Sequence, residues 1–145
     1  KYKSSISGNS IIATGSFENC IKFWNIDTLT CVYTIEDAID PAAASFLYSA
    51  RDQMIVTVIM KSPLLKVWKL IFNEKGIAKS KLLRTISNPF GKVNNNRMAF
   101  VNNKEDRVIV GDEGGNMYIV ELKTGMCVTI VAEAHKKTIW QFDVL

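Results

Sequence analysis

The chain contains very little of the chemistry from which catalytic and metal sites are built. Its 145 residues include one histidine, His135, and three cysteines that show none of the close spacings of zinc or redox pairs. A catalytic triad would have to use that single imidazole. These scarcities argue against an enzyme, a metal site or a bound cofactor. An odd set of widely spaced cysteines favours a reducing, intracellular setting, either cytoplasm or nucleus.

Long apolar runs and helical periodicity are also scarce. The longest apolar stretch, residues 54–60, is far shorter than the roughly 20 residues that span a bilayer. The first 15 residues lack the apolar centre of a secretory signal. We therefore expect neither a membrane span nor a targeting segment. No segment places apolar residues at helical spacing between a capping residue and a glycine stop.

What the chain does contain is a series of short strand-like runs. β-Branched and aromatic residues recur between turn formers, at residues 11–14, 21–24, 54–59, 64–70, 107–110 and 116–122. This pattern predicts an all-β fold of antiparallel hairpins. Hydrophobic residues make up 48% of the chain and charged residues 22%, so there is enough apolar side chain to build a core.

The sequence also repeats itself. Residues 14–25, 58–69 and 110–121 superimpose without gaps, each as a strand, a tight turn and a second strand. The spacing that follows each repeat reveals an insertion in the second unit. Cys31 follows Trp24 by seven residues, whereas its counterpart Leu82 follows Trp68 by fourteen. The second unit is therefore predicted to carry seven extra residues in a polar loop within 72–81.

Alternation within the second strand of each repeat predicts how the sheets pack. Successive side chains of a strand point to opposite faces. One face would carry Ile21 and Phe23, Leu65 and Val67, and Met117 and Ile119; the other would carry Lys22 and Trp24, Lys66 and Trp68, and Tyr118 and Val120. Since both faces carry bulk, we expect each sheet to be covered on both sides, as radially packed blades are. A two-sheet sandwich usually leaves one face polar.

Three segments carry a family resemblance: Thr14-Gly15-Ser16, Ile21-Lys22-Phe23-Trp24-Asn25, and Ala134-His135 with residues 139–144. They resemble the blades of WD-repeat β-propellers, and the resemblance covers essentially the whole chain. Asn25 and Lys69 stand where that family usually has aspartate after tryptophan. The family's buried Asp-His-Ser/Thr-Trp network is complete in none of the units, so the repeats are degenerate.

The resemblance implies a β-propeller of four-stranded antiparallel blades, with three blades and the first strand of a fourth in this chain. The units would be blade one at 1–36, blade two at 43–87, blade three at 97–132 and the start of a fourth at 138–145. Closed propellers typically contain 4 to 8 blades. Because the chain begins with Lys1 and stops inside a repeat, we expect it to be an excerpt, with the rest of the ring supplied by the parent chain or by another subunit.

Several features that resemble functional sites have simpler structural explanations. The glycine-rich segment 111–115 lacks the lysine and the following helix of a phosphate loop, so it is predicted to be a hairpin turn. His135 is expected to be a structural hydrogen-bonding residue, as the resemblance implies. The tryptophans Trp24 and Trp68 are expected to pack between blades. The equivalent cysteines Cys31 and Cys127 are expected to be small buried apolar residues.

Charge is distributed unevenly along the chain. Residues 61–92 contain eight basic residues and one acidic residue, a net charge of +7, whereas the remainder carries −3. The basic sector is represented by Lys75, Lys79, Lys81 and Arg84. A basic sector of this size could bind an acidic protein, a nucleic acid or an anionic membrane surface. The alternative is a solvated rim that binds nothing.

The family's geometry also implies a docking face. There, the loops before the innermost strands and the turns between second and third strands share one side of the ring. Candidate partner-binding residues on that side are Phe17, Lys61, Phe90, Lys92, Arg97 and Lys136. We therefore expect a non-catalytic scaffold that presents loops to other proteins of a multisubunit complex. The alternative is a nucleic-acid-associated propeller subunit that uses the basic second blade.

Overall fold

Strands form all of the regular structure in the described part of the chain. The computed structural model describes residues 11–15, 20–36, 44–49, 51–59, 64–74, 76–87, 98–139 and 142. Within them, no helix is long and apolar enough to cross a membrane. The strands are β1 (Ile11–Gly15), β2 (Ile21–Asn25), β3 (Thr30–Ile35), β4 (Ala44–Ser49), β5 (Met54–Ile59), β6 (Leu64–Asn73), β7 (Gly76–Ser87), β8 (Met98–Phe100), β9 (Arg107–Gly111), β10 (Met117–Glu121) and β11 (Cys127–Val131). The predicted all-β class is confirmed.

These strands form three open antiparallel sheets. The first sheet has the order β1-β2-β3, the second β4-β5-β6-β7 and the third β8-β9-β10-β11. Each strand pairs with its neighbour in sequence, since the connecting turns are short enough for antiparallel hairpins. The sheets fall within the three predicted units. Residues 1–10, where a fourth strand of the first sheet was expected, lie outside the described residues.

The three sheets share one irregularity of register. A shift precedes the pair Trp24–Cys31 in the first sheet, the pair Trp68–Leu82 in the second and the pair Val120–Cys127 in the third. These are the equivalences that the repeat spacing predicted. The seven extra residues of the second unit lie between Trp68 and Leu82, as expected.

The form of that insertion differs from the prediction. Instead of a polar loop, the extra residues lengthen the β6–β7 hairpin, so that pairing continues to Asn73 opposite Gly76. The reason is apolar packing: Phe72 and Ile77, one on each strand, lie against the core between the first and second sheets.

The gap-free superposition of the repeats is wrong by one residue in the second unit. Thr14 pairs with Lys22 in the first sheet, whereas the residue that pairs with Lys66 in the second is Thr57, not Val58. The second hairpin is therefore one residue longer. The sequence does not reveal this, because residues 55–59 are all strand formers and fit either alignment.

The second sheet is covered on both faces. Between the first and second sheets lies a core of Ile21, Phe23, Ile35, Ile55 and Leu70, with Trp68 packed against it. Between the second and third sheets lies a core of Val56, Leu65, Val67, Ile86, Met98, Val108, Val110, Tyr118, Val120 and Leu122. The prediction that bulk on both faces means cover on both sides is confirmed for this sheet.

The two contacts between sheets have the same sense. We call the face of each sheet that carries Ile21 and Phe23, Leu65 and Val67, or Met117 and Ile119 its forward face, and the opposite face its rear face. The forward face of the first sheet packs on the rear face of the second. The forward face of the second sheet packs on the rear face of the third. The repeats therefore stack head to tail.

Polar contacts also join neighbouring sheets. The Tyr33 hydroxyl accepts a hydrogen bond from the backbone N–H of Ser80 at 2.6 Å and donates to the Ser80 hydroxyl at 3.2 Å. Between the second and third sheets, Ser49 donates to a carboxylate oxygen of Glu105 at 2.5 Å. These bonds fix the lateral position of sheets that are otherwise held by non-directional apolar packing.

The predicted first strand of a fourth unit, at 138–145, lies mostly outside the described residues. Thr138, Ile139 and Phe142 are described and are not in a strand. Ile139 is buried nevertheless, and it lies with Phe142 against Gly111 at the end of β9. The strand itself stays a prediction.

Candidate interaction surfaces

The predicted docking face is described at one of its six residues. Phe17, Lys61, Phe90, Lys92 and Arg97 lie outside the described residues. Lys136 is exposed, in the irregular segment that follows β11.

The segment around Lys136 is docked on the turn between β9 and β10. The backbone N–H of His135 donates to the carbonyl of Gly115 at 3.0 Å. The Thr138 hydroxyl donates to the carbonyl of Glu113 at 3.5 Å. Gly115 has a φ of +82°, and a Cβ there would lie 1.9 Å from the carbonyl oxygen of His135, so only glycine permits this approach.

His135 thus makes a structural hydrogen bond, as expected, and makes it through its backbone. Its side chain is exposed, and its backbone N–H makes the structural bond. A turn and a following loop are thus brought together at one end of the third sheet.

The β9–β10 turn is built around the carboxylate of Asp112. This residue is 2% exposed, and one of its oxygens accepts from the backbone N–H of Asn116 at 2.9 Å. The other accepts from the Asn116 amide and the Tyr118 hydroxyl, both at 2.8 Å. The predicted hairpin turn is present, and its carboxylate is fully engaged in holding it.

The electrostatics of the turn follow from these bonds. Burial alone would raise the pKa of Asp112, but hydrogen bonds from the side chain and backbone of Asn116 and from Tyr118 outweigh it and lower the pKa. Burial, with the hydrogen bond to Asp112 and its charge, raises the pKa of Tyr118 to about 12. The carboxylate is therefore a poor proton carrier near neutral pH and a structural anion.

The basic sector lies on the long β6–β7 hairpin. Lys79, Lys81 and Arg84 are exposed on β7, and Lys75 lies outside the described residues. Cross-strand partners share a face, and Lys81 pairs with Lys69 while Lys79 pairs with Ile71. The register therefore places Lys69, Lys79, Lys81 and Arg84 on the forward face of the second sheet.

Two of these four cations have structural contacts. Arg84 donates from Nη1 to the carbonyl of Thr124 in the third sheet at 3.0 Å. Lys69 donates from Nζ to the carbonyl of Asp52. Lys79 and Lys81 are the members of the basic sector that remain presented to solvent on the hairpin extension.

One more surface, which was not anticipated from the sequence, is an open apolar groove on the rear face of the first sheet. It is lined by Ile12, Thr14, Trp24, Asn25, Ile26 and Leu29. The Trp24 ring N–H donates to the Thr14 hydroxyl at 2.8 Å. The repeat showed that apolar strand residues occupy this position in all three sheets, namely Ile12, Ile55 and Val108. It did not show which sheet would lack a cover.

The two tryptophans consequently differ. Trp68 packs against the core between the first and second sheets, as predicted, with the Lys66 ammonium 6.0 Å from its ring centroid. Its buried ring N–H has no hydrogen-bond partner among the described residues. Trp24 instead lines the open groove, so the expectation that it packs between sheets is not met in the described part of the chain.

The cysteine prediction needs a correction. Cys31 is exposed and Cys127 is half-buried, rather than both being buried. Cys31 lies on β3 and Cys127 lies on β11. Each of these strands is at the edge of its sheet, where a neighbouring sheet covers less of the surface. Each thiol donates to the carbonyl two residues on, of Tyr33 at 3.5 Å and of Thr129 at 3.4 Å.

Among the described residues, no three or more histidine, cysteine or acidic side chains are grouped so that they could hold a metal ion. No family model matches the chain, and no curated protein matches it either.

Proposed function

We propose that the chain belongs to a WD-repeat-like β-propeller that acts as a non-catalytic intracellular scaffold and binds other proteins of a larger complex through its loops. The observation that carries this proposal is the head-to-tail stacking of three repeated sheets. A radial arrangement of blades requires this sense of packing, whereas a two-sheet sandwich would pair like faces.

The bond between Thr14 and Trp24 supports the family assignment. The family's network includes a hydrogen bond between a Ser/Thr hydroxyl and the tryptophan ring, and the first sheet contains one at 2.8 Å. In the second sheet the Trp68 ring N–H has no hydrogen-bond partner among the described residues, and the third unit has Val120 in place of tryptophan, in keeping with degenerate repeats.

The scaffold mechanism depends on loops that are held before a partner arrives. The Asp112 carboxylate fixes the β9–β10 hairpin turn. This hairpin turn holds the backbone of residues 135–138 by hydrogen bonds. Lys136 is thus presented from a segment that has already lost its conformational entropy on folding. Binding at such a surface loses less conformational entropy than binding at a free loop.

The test is affinity capture with the 145-residue chain, after nuclease treatment, beside the variant Lys136→Glu. The matched control is Lys123→Glu, which changes another exposed lysine, in the turn at the opposite end of the third sheet. We expect stoichiometric protein partners that survive nuclease, are lost with Lys136→Glu and are kept with Lys123→Glu. Absence of any nuclease-resistant partner would overturn the scaffold proposal.

A second candidate function is association with nucleic acid through the basic sector. It is favoured by one observation: Lys79 and Lys81 lie exposed on the same face of a hairpin that is longer than its counterparts. Phosphate contacts of this kind make affinity fall linearly with the logarithm of salt concentration. Lys79→Glu with Lys81→Glu should abolish binding to single- and double-stranded oligonucleotides and flatten the salt dependence, whereas Lys123→Glu should change neither.

A further inference from the structure

The extended β6–β7 hairpin carries positive charge in a place that the third sheet does not reach. The turn between β10 and β11 meets the second sheet at Arg84 and Ile86, where a Cβ on Gly125 would lie 3.3 Å from a side-chain atom of each. Beyond Arg84, towards the tip of the hairpin, Lys79 and Lys81 are exposed. In the described part of the chain, the forward face of the hairpin is therefore open past the edge of the third sheet.

We call this open part of the forward face the basic ledge, and its residues are Lys69, Ile71, Lys79 and Lys81. Lys81 lies directly opposite Lys69, and like charges in such cross-strand pairs are destabilising. Lys69 donates to a neutral acceptor, the Asp52 carbonyl. Among the described residues, no carboxylate forms an ion pair with any of the three lysines. The ledge thus holds a charge that its own surroundings do not neutralise.

Arg84 flanks the ledge on the side of the third sheet. Its Nη1 donates to the carbonyl of Thr124 at 3.0 Å, which holds the side chain against the β10–β11 turn. A guanidinium has five N–H donors, so this bond leaves others for a ligand. The ledge is therefore bordered by a positioned cation that can donate to a carboxylate.

We propose that the basic ledge binds an acidic, extended segment of a partner protein, with carboxylates at alternate positions. Residues two apart on a strand lie about 6.8 Å apart along it, so Lys79 and Lys81 match the side chains on one face of an extended segment. Arg84 offers a third contact, and an aliphatic side chain of the segment would lie on Ile71. The inference goes beyond the proposed function, because the ledge lies at the opposite end of the stack from Lys136 and gives the scaffold a second binding surface.

An acidic protein segment fits the ledge better than a nucleic acid does. Single-stranded nucleic acids are bound by aromatic side chains on which their bases stack, whereas the ledge has an aliphatic side chain, Ile71, among its lysines. A two-stranded ribbon can enter the major groove of DNA, but the rear face of this hairpin is already packed. Phe72 and Ile77 lie against the core between the first and second sheets. Ser80 is hydrogen-bonded to Tyr33. Only the forward face of the hairpin is open to a ligand.

The test is fluorescence anisotropy with a short labelled peptide in which glutamate and valine alternate. It is run at physiological ionic strength, where exposed charges more than about 8 Å apart are screened. We expect saturable binding by the wild type. Lys79→Glu with Lys81→Glu should raise the dissociation constant about tenfold or more, because two attractions become repulsions. The matched control is Lys104→Glu with Lys137→Glu, which changes net charge equally at two other exposed lysines and should leave binding unchanged.

A charge exchange sharpens the test. A peptide in which lysine and valine alternate should bind the variant Lys79→Glu with Lys81→Glu more tightly than it binds the wild type, because the attractions return with opposite sign. A peptide with the composition of the glutamate probe, but with its glutamates in one block, should bind the wild type less tightly than the alternating one. Circular dichroism checks folding, and Lys79→Gln with Lys81→Gln supplies a milder variant if the glutamate variant does not fold.

Several results would overturn the proposal. They are no saturable binding of the alternating glutamate peptide, equal binding by the wild type and the folded double variant, and an equal loss in the control. An oligonucleotide that binds through Lys79 and Lys81 more tightly than the peptide, at the same salt concentration, would also overturn it and favour the second candidate function. Failure of the peptide to bind would leave capture through Lys136 standing. Failure of that capture would reject the scaffold proposal without changing the binding of the peptide.

Discussion

The first and second sheets are built from the same repeat but have different surroundings. Ile55 of the second sheet lies beside Trp68 with no exposed surface, whereas Ile12 of the first lies beside Trp24 and is 48% exposed. The residue types are identical at both positions. The difference shows that a repeat of this kind determines the shape of a sheet, while its neighbours decide which of its faces become core.

The largest expected effect tests that difference directly. Ile55→Ala should lower the free energy of unfolding by about 2–5 kcal/mol, because it leaves a cavity in the core between the first and second sheets. Urea unfolding followed by circular dichroism measures it.

Ile12→Ala is the matched control for Ile55→Ala. In dilute protein it should cost less than about 1 kcal/mol, since the side chain gives up little buried area. Equal losses for the two variants would mean that the rear face of the first sheet is as well covered as that of the second.

The next effect concerns the third sheet, whose turn depends on a buried anion. Asp112→Ala should destabilise the protein by about 3 kcal/mol, because it removes hydrogen bonds to a charged group and leaves the Tyr118 hydroxyl buried without its acceptor. Neither of the other sheets has a described carboxylate in this role. Chemical unfolding at pH 7 measures the loss, and an unchanged midpoint would show that the turn is held by its backbone alone.

The same carboxylate gives a pH dependence of known sign. Because folding lowers the pKa of Asp112, its stabilisation is fully present above the unfolded value of about 4 and is lost as pH falls through the folded value. We expect the unfolding midpoint to drop as pH falls below about 4, by more in the wild type than in Asp112→Asn. Parallel curves for the two proteins would contradict this origin.

The repeat spacing and the alternation of side chains predicted most of the fold. The offset of seven positions from Trp24 to Cys31 anticipated the register of the first sheet, and the offset of fourteen from Trp68 to Leu82 anticipated that of the second. The extended hairpin was missed because lysines dominate residues 75–81, although Phe72 and Ile77 supply its apolar side. Local composition did not show which polar residues would alternate with buried ones.

The candidate surfaces were less predictable than the fold. Burial of a strand residue depends on another sheet, so the exposure of Ile12 and of Cys31 cannot be read from their own segments. His135 was predicted to make a structural hydrogen bond, but the sequence did not show that a glycine with positive φ would bring the His135 backbone N–H into that bond. Contacts that depend on distant backbone geometry leave no pattern in the neighbouring sequence.

A smaller effect compares the two contacts between sheets. Tyr33→Phe removes both hydrogen bonds to Ser80 but keeps the ring, which lies 6.2 Å from the Phe23 ring at 53°. We expect a loss of about 1 kcal/mol, the ordinary net value of such bonds. The corresponding change between the second and third sheets is Ser49→Ala, which removes the bond to Glu105. If Tyr33→Phe is neutral, the contact between the first and second sheets is held by apolar packing alone.

The smallest effect returns to the open groove. Thr14→Val removes the hydroxyl that accepts from the Trp24 ring N–H while keeping the shape of the side chain. In dilute protein the loss should be under about 0.5 kcal/mol, because water can replace an acceptor at an exposed indole. A loss of about 1–3 kcal/mol would instead show that the groove is covered and that the Trp24 ring N–H is cut off from water.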